Sequence, residues 1–70
     1  MPKFIELTHV NYFGEKFRTL FNVNTILEVY GVVGKENYRC IMTRTVDPGK
    51  ELWIEESYET VYMLLEKACD

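Results

Sequence analysis

The stretch Trp53-Ile-Glu-Glu-Ser-Tyr-Glu-Thr-Val-Tyr-Met-Leu-Leu-Glu-Lys-Ala68 decides the fold, because its hydrophobic period changes from two residues to nearly four at Ser57. Before Ser57, Leu52 and Ile54 fall on one side of an extended chain and Trp53 on the other, as a strand requires. After it, Tyr58, Val61, Tyr62, Leu64, Leu65 and Ala68 recur at three- and four-residue spacing and predict one buried stripe on an amphipathic helix. Ser57 is the natural N-cap, and Glu59 suits the positive end of the helix dipole. A full capping box needs Glu or Gln where this chain has Thr60. A helix of roughly three turns is marginal alone in water, so it must dock, and the upstream chain must supply the surface.

Phe4 to Val10 alternates, with Ile5 and Leu7 on one parity and Glu6 and Thr8 on the other, which predicts a strand over 3–10. Asn11-Tyr-Phe-Gly-Glu-Lys16 has the composition of a hairpin loop leading into an antiparallel partner over 17–21. At Asn22-Val-Asn-Thr-Ile26 the pattern breaks, and a tight turn or single 3₁₀ turn capped by Asn22 is expected. The run 26–33 is apolar on both parities except at Glu28, which predicts a central strand covered on both sides. A polar loop over 34–37 leads to a strand over 38–46. Asp47-Pro-Gly-Lys50 then reads as a type II turn, and a last strand over 51–55 feeds the helix over 57–67. The chain is thus expected to be one α+β domain over 1–70. Its architecture is a small antiparallel bent sheet or half-open barrel of about five strands with one C-terminal helix.

A chain of 70 residues buries only ~60% of the surface its unfolded form exposes, so its stability margin is thin. The apolar fraction of 47% and charged fraction of 27% are ordinary globular values and exclude a disordered segment. The net charge of −3 argues against a nucleic-acid footprint, and the eight basic residues are scattered, although Lys35, Arg39 and Arg44 could gather on one hairpin. Met1-Pro-Lys-Phe4 carries no secretory pattern and no apolar run approaches eighteen residues. Cys40 and Cys69 therefore read as reduced thiols in a cytoplasmic protein with no membrane partner.

The chemistry-bearing residues make no catalytic or metal constellation. His9 is the only histidine, and with Cys40 it makes two ligands without C-x-x-C or H-x-x-x-H spacing. Ser57 is the only serine and is explained as a cap. Glu55 and Glu56 are adjacent on a strand end and point to opposite sides, so Glu56 is read as a hydrogen-bonding group at the strand-to-helix junction. No catalytic residue, metal or cofactor is expected, and the protein is not expected to be an enzyme.

The aromatic set is the better candidate. Aromatic residues make up 14% of the chain, more ring surface than one helix and a few strands can hide. Tyr30, Tyr38 and Trp53, with Tyr12 and Phe13 in the first loop, form the expected ligand or partner surface, and Arg39 and Arg44 flank it. Because one helix covers one face while 26–33 is apolar on both, a homo-oligomer is expected as well.

The segment Leu20-Phe-Asn-Val-Asn-Thr-Ile-Leu-Glu-Val29 and the segment Lys50-Glu-Leu-Trp-Ile-Glu-Glu-Ser-Tyr-Glu-Thr-Val61 together resemble the FlbD-type small flagellar proteins and their bacterial and phage relatives. Asn22 and Ile26 match that family's "xNxxxI" turn, and Glu56, Ser57, Glu59 and Val61 match its "ESxEEV" helix start; Thr60 departs from it, and the loops at 11–16 and 34–37 are longer than in its shortest members. The resemblance implies a β-rich module with one terminal helix, no catalytic residues and no defined ligand. The expected function is a non-enzymatic interaction or regulatory module, of a kind phages and mobile elements carry, binding a protein partner. The alternatives are an oligomer that sequesters a nucleotide-like ligand and, by fold-level analogy with carbon-storage-regulator proteins, an RNA-binding regulator. Acidic balance counts against the last.

Overall fold

The computed structural model describes residues 3–34 and 37–69. The chain runs β1 (Phe4–Val10), β2 (Lys16–Asn22), a 3₁₀ turn (Val23–Thr25), β3 (Ile26–Gly31), β4 (Cys40–Arg44), β5 (Asp47–Ile54) and α1 (Tyr58–Cys69). The strands make one antiparallel sheet in the order β2-β1-β5-β4-β3, left open at its edges, with α1 on one face. This is the α+β arrangement that the change of period at Ser57 implies.

The core lies between that face and α1. Antiparallel register places residues directly opposite one another on the same side, so Val29, Met42 and Leu52 form one row, and Gly31, Cys40 and Ile54 the next. Ile5 and Leu7 of β1, Phe21 of β2 and Val61 of α1 complete a dry cluster in which Leu7, Cys40, Met42 and Ile54 are fully buried. Each large apolar side chain buried there stabilises the fold by roughly 1.5–3 kcal/mol. Ser57 caps α1 as expected: its Oγ accepts from Thr60 N–H at 3.3 Å, and Thr60 Oγ1 meets the same hydroxyl at 3.0 Å. The 3₁₀ turn also falls where the sequence puts it, with Asn22 Oδ1 accepting from Asn24 N–H at 3.0 Å.

Three expectations are corrected. First, β3 ends at Gly31 and is an edge strand, not a central one spanning 26–33. Its apolar residues are not enclosed on both sides: Leu27 sits at a register shift between Ile26 and Glu28 and is 58% exposed, and Tyr30 is also exposed. Second, Asp47-Pro-Gly-Lys50 is not a type II turn. That turn needs positive φ at its third residue, and among the described glycines positive φ occurs at Gly14 and Gly34, not Gly49. The chain reverses at Thr45-Val46, Arg44 pairs with Asp47, and residues 48–51 belong to β5, opposite a register shift in β4. Strand β4 is accordingly shorter than 38–46. Third, the helical stripe is narrower than its periodicity implies. Val61 is buried and Leu64, Leu65 and Ala68 are half-buried, but Tyr58 and Tyr62 are exposed. The loop expected at 34–37 includes residues 35 and 36, Lys35 among them, which lie outside the described residues.

Candidate functional site

The face of the sheet opposite α1 carries the aromatic residues. Register alone builds its central row, since Tyr30 lies opposite Ile41, Ile41 opposite Trp53, and Trp53 opposite Val10. Tyr38, just before β4, stacks on Trp53 with ring centroids 4.7 Å apart and planes 12° from parallel. Tyr12 approaches Trp53 from the β1–β2 loop at 6.3 Å and meets Phe13 edge-on at 5.8 Å. Four of the expected residues, Tyr12, Phe13, Tyr38 and Trp53, therefore form one continuous cluster. Tyr30 shares the face, but its hydroxyl donates to the Glu51 carboxylate, which holds the phenol above its ordinary pKa.

The loop that presents Tyr12 and Phe13 is held by its own hydrogen bonds. Asn11 Oδ1 accepts from the backbone N–H of Phe13 and of Glu15, both at 2.9 Å, and Asn11 Nδ2 donates to Glu15 Oε1 at 2.8 Å. Gly14 N–H donates to Asn11 O at 3.0 Å, and Gly14 takes φ +82°, a conformation that favours glycine. A short loop so closed loses little entropy when something binds its tip. Yet Tyr12 and Phe13 are each 84% exposed, so the fold spends a fixed turn on holding two rings in water.

Beside the cluster, a cleft of about 780 Å³ opens between the end of β1 and the first half of β5. Val10, Tyr12 and Trp53 line it together with Thr43, Lys50, Glu51, Glu28 and His9. His9 is half-buried, 6.4 Å from the Phe17 ring. Burial and then the positive charges of Lys50 and Arg44 lower its pKa from 6.5, so the imidazole is neutral at pH 7. His9, Thr43, Lys50 and Glu51 were not in the aromatic set read from the sequence. Lys50 was concealed because 47–50 reads as a turn when it is strand.

The two arginines are not brought to the cleft. Arg39 is exposed near the start of α1, beside Glu56 and Ser57. Arg44 is half-buried at the β4–β5 turn, and its Nε is enclosed without a hydrogen-bond partner.

The densest polar network belongs to the fold. Register pairs between β1 and β5 stop at His9 with Ile54 and Val10 with Trp53. Beyond them, Glu55 N–H donates to Thr8 O at 3.0 Å, and the Glu56 carboxylate takes over the ladder's next position. It accepts from Thr8 N–H at 2.7 Å, from Thr8 Oγ1 at 2.9 Å and from Arg18 Nη1 at 2.9 Å; Arg18 also reaches Thr8 Oγ1 at 2.7 Å and Glu6 at 2.9 Å. Lys16 pairs with Glu55 alongside. Glu56 thus does hydrogen-bond at the strand-to-helix junction, but with partners 48 and 38 residues away, a reach no local pattern encodes.

Cys40 is buried and donates to Glu56 O at 3.3 Å; burial, then the Glu56 charge, push its pKa up to about 11, so it is a poor nucleophile at neutral pH. Cys69 is exposed and also free. Among the described residues no three His, Cys, Asp or Glu side chains converge to hold a metal ion, and no helix is long and apolar enough to cross a membrane. No protein-family model, no curated protein and no solved structure matches the chain.

Proposed function

We propose that this protein is a non-enzymatic interaction module that grips a partner protein through the Tyr12-Phe13 tip and the neighbouring Tyr38–Trp53 stack. The observation that carries this reading is the presentation of two 84% exposed rings by a loop fixed through Asn11. Burying exposed aromatic surface is the main way a small interface gains energy, and pre-ordering reduces what binding must overcome. The test is quantitative cross-linking from cells producing the tagged chain. Tyr12→Ser with Phe13→Ser should leave the melting temperature unchanged within a few degrees and remove the main cross-linked protein. Retention of that protein by the double variant would refute the reading.

A nucleotide-like ligand is the competing reading, and the cleft beside Trp53 with Lys50 in its wall speaks for it. The ring geometry speaks against it, since Tyr38 already stacks on Trp53 where a base would lie. A nucleotide-dependent rise in melting temperature, lost in Trp53→Ala, would reverse this preference.

A further inference from the structure

The two edges of the sheet differ in how they are protected. Strand β2 carries Lys16 and Arg18, both in ion pairs, and charged edge residues of this kind deter a further strand. Strand β3, Ile26-Leu-Glu-Val-Tyr-Gly31, has neither lysine nor proline, carries one charge at Glu28 beside its register shift, and among the described residues its outer side pairs with no other strand. Next to it, on the helix side, an apolar groove of about 330 Å³ runs between β3 and α1, floored by Val29 and Val61 and walled by Leu27, Tyr58, Tyr62 and Leu65. An unpaired edge beside an apolar groove is the geometry in which an added strand gains backbone hydrogen bonds and, at every second residue, a pocket.

Charge decides between occupants. Glu28 lines both this groove and the cleft that holds Lys50, Glu66 lies at the groove's continuation past Tyr62 and Leu65, and no lysine or arginine lines the groove itself. A second copy adding its own β3 would bring a further Glu28 and Glu66 to the same seam, on a chain whose net charge is −3. A basic strand meets no such repulsion. We propose that the β3 edge takes up an extended segment of a partner protein as a sixth strand, its apolar side chains entering the β3–α1 groove and its alternate Lys or Arg side chains meeting Glu28 on the other face. This edge lies across the sheet from Phe13 and does not depend on the aromatic tip.

The test is titration of the isotope-labelled full chain with a blocked ten-residue peptide of alternating Val and Lys, with the Val and Glu counterpart as control. Binding should shift the amides of residues 27–31 and the side chains of Tyr62 and Leu65, and slow exchange of the β3 amides. Glu28→Lys should weaken it about fivefold, the upper range for one exposed ion pair. Leu27→Ala and Tyr62→Ala, at positions 58% and 56% exposed, should fold normally and also weaken it. Equal binding of the acidic peptide, shifts centred on Trp53, or no shifts at millimolar peptide would overturn the proposal. So would sedimentation showing a dimer of the chain that Leu27→Ala dissolves.

Discussion

The two faces of this sheet are built from the same strands and have opposite characters. On the α1 side, Leu7, Cys40, Met42 and Ile54 have no measurable exposure and belong to one apolar cluster. On the other side, Val10 is buried, but Trp53 and Ile41 are half-exposed and Tyr30 is exposed, and the rings of Tyr38 and Trp53 stack at the surface. Alternation along β5 makes both: Leu52 and Ile54 face α1, Trp53 faces out. One face therefore holds the fold, and the other is free to be used, which is why substitutions on the two sides should differ in kind.

The strongest way to break that contrast is at the centre of the dry face. Ile54→Ala should cost about 2–5 kcal/mol, measured by denaturant unfolding, and in a domain this small that approaches the whole stability. Next is the seam. Glu56→Ala leaves the Thr8 N–H without its acceptor and frees Arg18, for an expected loss of about 1–3 kcal/mol. Exchange of the Thr8 amide should accelerate more than that of Met42. On the open face, Tyr38→Ala removes the stack on Trp53 and should cost about 0.5–1.5 kcal/mol, with a change in tryptophan fluorescence. If it costs as much as Ile54→Ala, the open face is a second core and the division fails.

The smallest expected effect is on pH dependence. His9 has a folded pKa below 6.5, chiefly through burial and then through Lys50 and Arg44, so the unfolded chain binds the proton first as pH falls. Stability should be flat in this respect above pH 6.5, decline as pH drops from there to the folded pKa, and level off beneath it. Proton NMR titration of the ring reads the folded value directly. Lys50→Gln should raise it towards 6.5 and shrink the decline.

The strand-to-helix junction was legible because its signals are local. Ser57 caps, Val61 is buried three residues on from Tyr58, and the period changes where the strand ends. Asn22 and the 3₁₀ turn were legible for the same reason. The place of β3 was not, because an apolar run signals removal from water without saying what does the covering. Here α1 and a groove cover one side in part, and a register shift turns Leu27 outward. The type II reading of Asp47-Pro-Gly-Lys50 failed because a sequence constrains φ at Pro48 but merely permits positive φ at Gly49. Tyr12, Phe13, Tyr38 and Trp53 were singled out by residue type. Their convergence depends on the order of the sheet and on Asn11, and so could not be read off spacing. Glu56 and its partners are farther apart still.

Placing β1 between β2 and β5 has a consequence for how the chain is made. As synthesis proceeds, the β1–β2 hairpin is complete long before Ile54 and Val61 exist to cover Ile5 and Leu7. The sheet cannot be completed until β5 is in place, so the native order rests on pairings distant in sequence, the kind that slows folding. Until then a nascent hairpin has to stay soluble by itself. Glu6, Lys16 and Arg18, which in the finished molecule serve the seam and the β2 edge, put charge on that hairpin from the start.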